Sequence, residues 1–230
     1  MIECCLVIIS YTSCATLGIS LNRELMKKAH TTLKQMKTLD ARINRASEQG
    51  LETLMQELAF PGVLNPYRFG LPLMLSMIAA LFSFSVPQVA IWHEIFYAAD
   101  WQEYAIFAGI IPCILIFCIL LFAAGSLTAR GYALALKGYL LLLYGIAIIA
   151  ASYLILTVIK TLIGQYDGIV FLITGVLSAF FSAISLASLN GDRFERAVSG
   201  FMHNRAWRRA WAQRRGQAGP GNGDLTKSRN

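Results

Sequence analysis

The chain has 230 residues, of which 56% are apolar and only 14% charged, and its formal net charge is +7. Ordinary soluble domains carry about a quarter charged residues, so this composition excludes an ordinary soluble core. It is too apolar for a disordered chain, and five cysteines are too few for a disulfide scaffold. What remains is a polytopic, all-α membrane protein: a bundle of four transmembrane helices with an N-terminal fifth and a long cytoplasmic amphipathic helix.

The N-terminal stretch Cys4–Asn22 has no charged side chain but holds Ser10, Thr12, Ser13 and Ser20. Glu3 precedes it and Arg23, Lys27 and Lys28 follow, which is the charge order of an anchor with its N-terminus outside. A helix packed against the other spans is the alternative for a stretch this polar. A cleaved signal peptide would need a basic segment ahead of the apolar one. Residues 1–21 are therefore expected to form a fifth span.

Residues 22–68 follow as a cytoplasmic segment with eight basic and five acidic side chains. From Asn22 to Ala59 there is no proline and one glycine, Gly50. Leu25, Ala29, Leu33, Met36, Ile43, Ala46, Leu54 and Leu58 recur at steps of three, four, seven and eight, which is helical spacing. The expected element is one amphipathic helix, roughly 57 Å long at 1.5 Å per residue, closed by Phe60-Pro61-Gly62. Its apolar face, carried by Leu25, Leu33, Met36, Ile43, Leu54 and Leu58, lies either on the membrane and the protein's own spans or on a partner. Thr32, Gly50 and Thr53 would fall at core positions of a heptad, which argues against a self-associating coiled coil.

Between residues 69 and 191 four stretches carry no Asp, Glu, Lys, Arg or His: Phe69–Trp92, Tyr104–Ala129, Gly138–Ile159 and Gly168–Gly191. Each has the roughly 20 apolar residues that a bilayer crossing needs. The loop after the first holds Glu94, Asp100 and Glu103 with Trp92, Tyr97, Trp101 and Tyr104 and no Lys or Arg, whereas the next connection holds Arg130 and Lys137. Lys and Arg accumulate on the cytoplasmic side, so the acidic loop is placed outside and the C-terminus inside. Pro72, Pro87 and Pro112 fall inside spans and predict kinks. On the last span Gly175, Ala179, Ala183 and Ala187 recur every fourth residue beside Ser178, Ser182 and Ser185. Small residues let helices approach closely and serines bond across the contact, so this stripe is read as a helix-packing face, toward the chain's own spans in preference to another chain.

The tail from Asp192 to Arg215 reads as a basic, aromatic helix, and residues 216–230 as a disordered end. Arg205, Arg208 and Arg209 with Trp207 and Trp211 are assigned to anionic lipid headgroups or a partner; nucleic acid is the disfavoured rival, since no recognition module accompanies the arginines. His93-Glu94 lacks the second histidine of a zinc-protease helix, and no phosphate loop, dinucleotide motif or serine elbow occurs. No catalytic, metal or cofactor-binding residue is assigned. The expected role is non-enzymatic: an accessory subunit of a membrane complex or an immunity- or exclusion-type protein, in contact with a membrane-protein partner or a second copy. A small channel or transporter component is the alternative. Compact loops and the absence of an N-glycosylation acceptor point to a bacterial inner membrane.

Overall fold

The computed structural model describes residues 27–58, 66–100, 106–164 and 168–217. The expected fifth span and Leu25 lie outside the described residues, as do Trp101, Tyr104 and the end of the tail. Every described element is a helix: α1 Lys27–Arg45, α2 Glu48–Glu57, α3 Pro66–Ser85, α4 Gln88–Ala98, α5 Ile106–Ala129, α6 Ala133–Leu162, α7 Gly168–Leu189 and α8 Asp192–Gln217. Among the described residues, four helical segments are long and apolar enough to cross a membrane: Gly70–Phe96, Ile106–Ala129, Ala133–Leu162 and Ile169–Leu189. The protein is thus an all-helical membrane protein.

Three expectations are corrected in these elements. The single long amphipathic helix is two helices, because the chain leaves helical geometry at Ser47, whose hydroxyl accepts a bond from the Gly50 N–H and caps α2. Arg42 then pairs with Glu57 at 3.1 Å, so α2 folds back beside α1 instead of extending it. The first span is likewise two helices, divided at Val86-Pro87; Pro72 and Pro112, by contrast, sit inside continuous α3 and α5. Finally, the spanning helices are not free of charge. At 1.5 Å per residue α6 is roughly 45 Å long, well beyond the ~30 Å hydrocarbon layer, so Lys137 and Lys160 lie within its ends. The first spanning segment similarly runs on through Glu94.

The bundle is assembled around α7, which packs against both α3 and α6; α6 in turn meets α5. Helix α5 buries the stripe Gly109, Ile110, Phe117, Leu121, Gly125 and Thr128 and exposes Phe107, Ile111, Leu115 and Ile119, as a helix bathed in lipid does. At one end of the bundle, α8 leaves α7 at Asn190–Gly191 and crosses the helix ends to the α5–α6 turn. Helices α1 and α2 pack on α8, and α1 also touches α6. This end carries most of the arginines and is called the basic end below. One continuous apolar core joins it to the bundle, from Leu33, Met36, Ile43, Leu51 and Leu54 through Phe194, Val198 and Met202 to Leu136, Leu140 and Leu143.

Candidate functional site

Two constructions organise the molecule: a polar seam inside the bundle and an arginine clamp at the basic end. The seam lies between α3 and α7. Ser185 Oγ donates to the Ser76 carbonyl at 2.9 Å, and the two serine hydroxyls meet at 3.1 Å. Tyr139 of α6, fully buried, donates its hydroxyl to Ser76 Oγ at 2.8 Å. With Ser185's proton committed to the carbonyl, Ser76's proton goes to Ser185 Oγ, and one chain of donors runs Tyr139, Ser76, Ser185, Ser76 carbonyl. Two turns away, Ser83 and Ser178 bond each other's carbonyls at 2.9 and 2.7 Å. Each of these hydroxyls is buried and bonded, so none carries the cost of an unpaired polar group in an apolar interior.

The seam divides the small-residue stripe of α7. Gly175, Ser178, Ser182 and Ser185 are buried and Ala179 is half-buried, but Ala183 and Ala187 are exposed. The cause is geometric: a step of four residues advances about 40° past a full turn, so three such steps carry Ala187 about 120° away from Gly175. The buried arc continues instead through Leu186 and Leu189. Ser76, Ser83 and Tyr139 were not singled out from the sequence. Their signal was a matched spacing: Ser76/Ser83 and Ser178/Ser185 are each seven residues apart, close to two helical turns.

The clamp is α8. Its buried face is Phe194, Ala197, Val198, Met202, Ala206 and Ala210, at steps of three and four. Arg205 Nη1 donates to the Gly131 carbonyl at 2.7 Å and Arg208 Nη2 to the Arg130 carbonyl at 2.6 Å, so both seize the C-terminus of α5. Gly131, at φ +86°, supplies the left-handed turn there and lets the Phe201 carbonyl approach where a Cβ would lie 2.8 Å away. Arg205 also pairs with Asp40 at 2.6 Å and lies over the Tyr132 ring at 4.6 Å. Arg209 grips the end of α1 through the Asn44 carbonyl at 2.9 Å and the Asn44 side-chain oxygen at 2.6 Å. Cations at helix C-termini complement the negative end of the helix dipole. Arg214 completes the set with Glu48, at 2.8 Å, and Glu52 on α2.

Of the residues read from sequence as headgroup or partner contacts, Arg205, Arg208 and Arg209 are therefore engaged within the chain. Trp207 and Trp211 are not drawn in. They lie 53% and 47% exposed on the side of α8 away from its core face and stack on each other, ring centroids 5.9 Å apart. Arg215 covers Trp211 at 5.1 Å. Of the amphipathic face, Leu33, Met36, Ile43 and Leu54 are buried and Leu58 is half-buried. That face is consumed by α8 and α6 rather than offered to lipid.

The start of α1 is held by Lys28, which pairs with Asp192 at 2.7 Å while its N–H bonds Asn190 Oδ1 at 2.9 Å. The hydrogen bond to Asp192 holds the Lys28 ammonium above its ordinary pKa, and the same bond holds the Asp192 carboxyl below its own. The sign follows. The Asp192 contribution is present above the ordinary carboxyl range and lost as pH falls through the lowered value. The Lys28 contribution is present below the ordinary ammonium range and lost as pH rises through the raised one. A nitroxide placed at Thr31 should stay ordered through the middle of the pH range and gain mobility in a small step at acid pH. Asp192→Asn should abolish that step; its persistence in the variant would assign it elsewhere.

Among the described residues no cluster of His, Cys, Asp and Glu could hold a metal ion. No protein family, curated protein or solved structure matches the chain.

Proposed function

We propose that this is a non-enzymatic integral membrane protein that acts by protein–protein contact, as an accessory subunit of a larger membrane complex or as an immunity- or exclusion-type protein. The observation that carries this reading is the stacked Trp207–Trp211 pair. The core face of α8 and its Arg205, Arg208, Arg209 and Arg214 are spent inside the molecule, yet two tryptophans stand outward beside arginine on a helix braced at both ends. Trp and Arg dominate the energetic centres of protein interfaces, and a rigid aromatic pair presents area at low entropic cost. The exposed Ala183 and Ala187 of α7 supply a second, intramembrane surface on which another helix could approach closely.

The basic end is read as cytoplasmic, in a bacterial inner membrane, on the excess of Lys and Arg in residues 22–68 and 192–230 over the loop after α4. A reporter fused after Glu94 should then report outside and one fused at Gly216 inside; the reverse would overturn the orientation. For the contacts, a photoreactive residue at position 211 should trap one defined protein in native membranes, in a complex that survives purification. Trp207→Ala and Ala183→Leu should each weaken that capture by about tenfold without unfolding the chain. Adducts to anionic lipid alone would reassign the pair to headgroups. A chain that purifies alone and passes ions or solute in liposomes would overturn the reading in favour of a channel or transporter component.

A further inference from the structure

The end of the bundle away from the clamp holds a crevice that the contacts above do not use. Its origin is the break at Val86-Pro87. Beyond it, α4 turns toward α5 and seats Trp92 against Gly109, where a Cβ would lie 2.5 Å from the indole ring. Trp92 Nε1 is held by Gln88 Oε1 at 3.0 Å. Leaning on α5, α4 stands off from α6 and α7, and the gap is a cavity of about 390 Å³. This lies within the roughly 300–1,000 Å³ range of small-ligand sites. Its walls include Ala90, Ile95, Ile149 and Leu156. Ile95 and Ile149 are 48% and 40% exposed, so the crevice opens sideways, toward the lipid.

Its mouth is charged. Lys160, near the end of α6, pairs with Glu94 of α4 and lies 5.9 Å from the centre of the Phe171 ring of α7. This ion pair ties α4 to α6. It is partly exposed on both sides, with side-chain exposures of 31% and 52%, and such pairs contribute little to stability. Separating them therefore costs little if each charge meets a new opposite partner.

We infer that this crevice is a phospholipid site. One acyl chain lies between α4 and α6, the lipid phosphate sits on Lys160, and a headgroup ammonium sits on Glu94. An apolar slot open to the hydrocarbon layer, closed at its end by one cation and one anion side by side, matches a zwitterionic phospholipid in shape and in charge order. An anionic lipid would satisfy Lys160 and leave Glu94 facing like charge. The inference goes beyond the proposed protein contacts and rests only on the four helices crossing a bilayer.

The test uses the purified full chain in maltoside detergent, with native mass spectrometry of bound palmitoyl-oleoyl phosphatidylethanolamine, phosphatidylcholine and phosphatidylglycerol. One lipid should be retained per chain, with the ethanolamine or the choline species held at least about fivefold more tightly than the glycerol species. The better of the two names the headgroup. Glu94→Gln and Lys160→Gln should each erase that preference. Equal or tighter retention of phosphatidylglycerol, or an unchanged preference in both variants, would overturn the site. Because either variant could loosen α4, the unmodified chain is also irradiated in vesicles of that lipid with a diazirine at the acyl terminus. Labelling should concentrate in residues 88–98 and 148–160; labelling spread over the lipid-facing side of α5 instead would overturn it.

Discussion

Replacing Arg205 with alanine is expected to lower the stability of the protein by about 2–3 kcal/mol and to release α1 from the basic end. One guanidinium makes four engagements: the Asp40 carboxylate, the Gly131 carbonyl, the Asn44 side-chain oxygen at 3.4 Å and the Tyr132 ring. The Arg205 side chain is 15% exposed and that of Asp40 23%, so neither is rescued by full hydration when the other is removed. An unpaired, mostly buried carboxylate costs more than the pair itself contributes. Arg205→Lys should recover only part of the loss, because an ammonium cannot present the planar fork that reaches Asp40 and Gly131 together. Arg208→Ala removes an exposed side chain that bonds the Arg130 carbonyl, and should cost under about 1 kcal/mol. Chemical denaturation in detergent followed by circular dichroism measures the three values, and amide exchange along residues 27–45 reports α1. Equal losses for Arg205→Ala and Arg208→Ala would show that the Asp40 pair contributes nothing.

The sequence revealed the spans because they need only length and the absence of charge, which survive any error of register. Their limits were harder to place. A long helix carries its charged ends past the hydrocarbon layer, so Lys160 and Glu94 looked like loop residues while belonging to helices. The break at Ser47 was legible in principle, since a capping serine is followed by Glu48 in the first turn. It was masked by apolar spacing that runs on from Ile43 through Ala46 to Leu54. The clamp was not legible at all. The groups that Arg205, Arg208 and Arg209 hydrogen-bond lie 74 to 165 residues away in the chain, and composition near a span points equally well to lipid. The seam was half-legible: its serines on α7 were visible, but the matched seven-residue spacing of Ser76 and Ser83 on α3 gains meaning only once the two helices are known to pack.

The contact of α7 with α6 supplies the second large effect. Gly175→Leu is expected to destabilise the bundle by about 2 kcal/mol, in spite of a gain in helix propensity of roughly 1 kcal/mol. A Cβ at Gly175 would stand 2.8 Å from Thr157 Oγ1 and 3.2 Å from the Leu154 Cα. The first contact could be relieved by a rotamer change. The second is backbone, so α6 and α7 must separate, and every contact along that pair is loosened with them. Ser185→Ala should cost less, roughly 0.6 kcal/mol, the size of a typical hydrogen bond between membrane helices. Ala183→Leu, on the same helix and in the same four-residue stripe as Gly175, should be nearly neutral, because position 183 faces outward. Steric-trap or denaturant unfolding in bicelles orders the three variants. If Gly175→Leu and Ala183→Leu proved equally costly, the whole stripe would be buried and the seam drawn through Ser178, Ser182 and Ser185 would be in the wrong register. The predicted order instead separates two faces of one helix: the face at Gly175 is closed by α6, and the face at Ala183 is exposed.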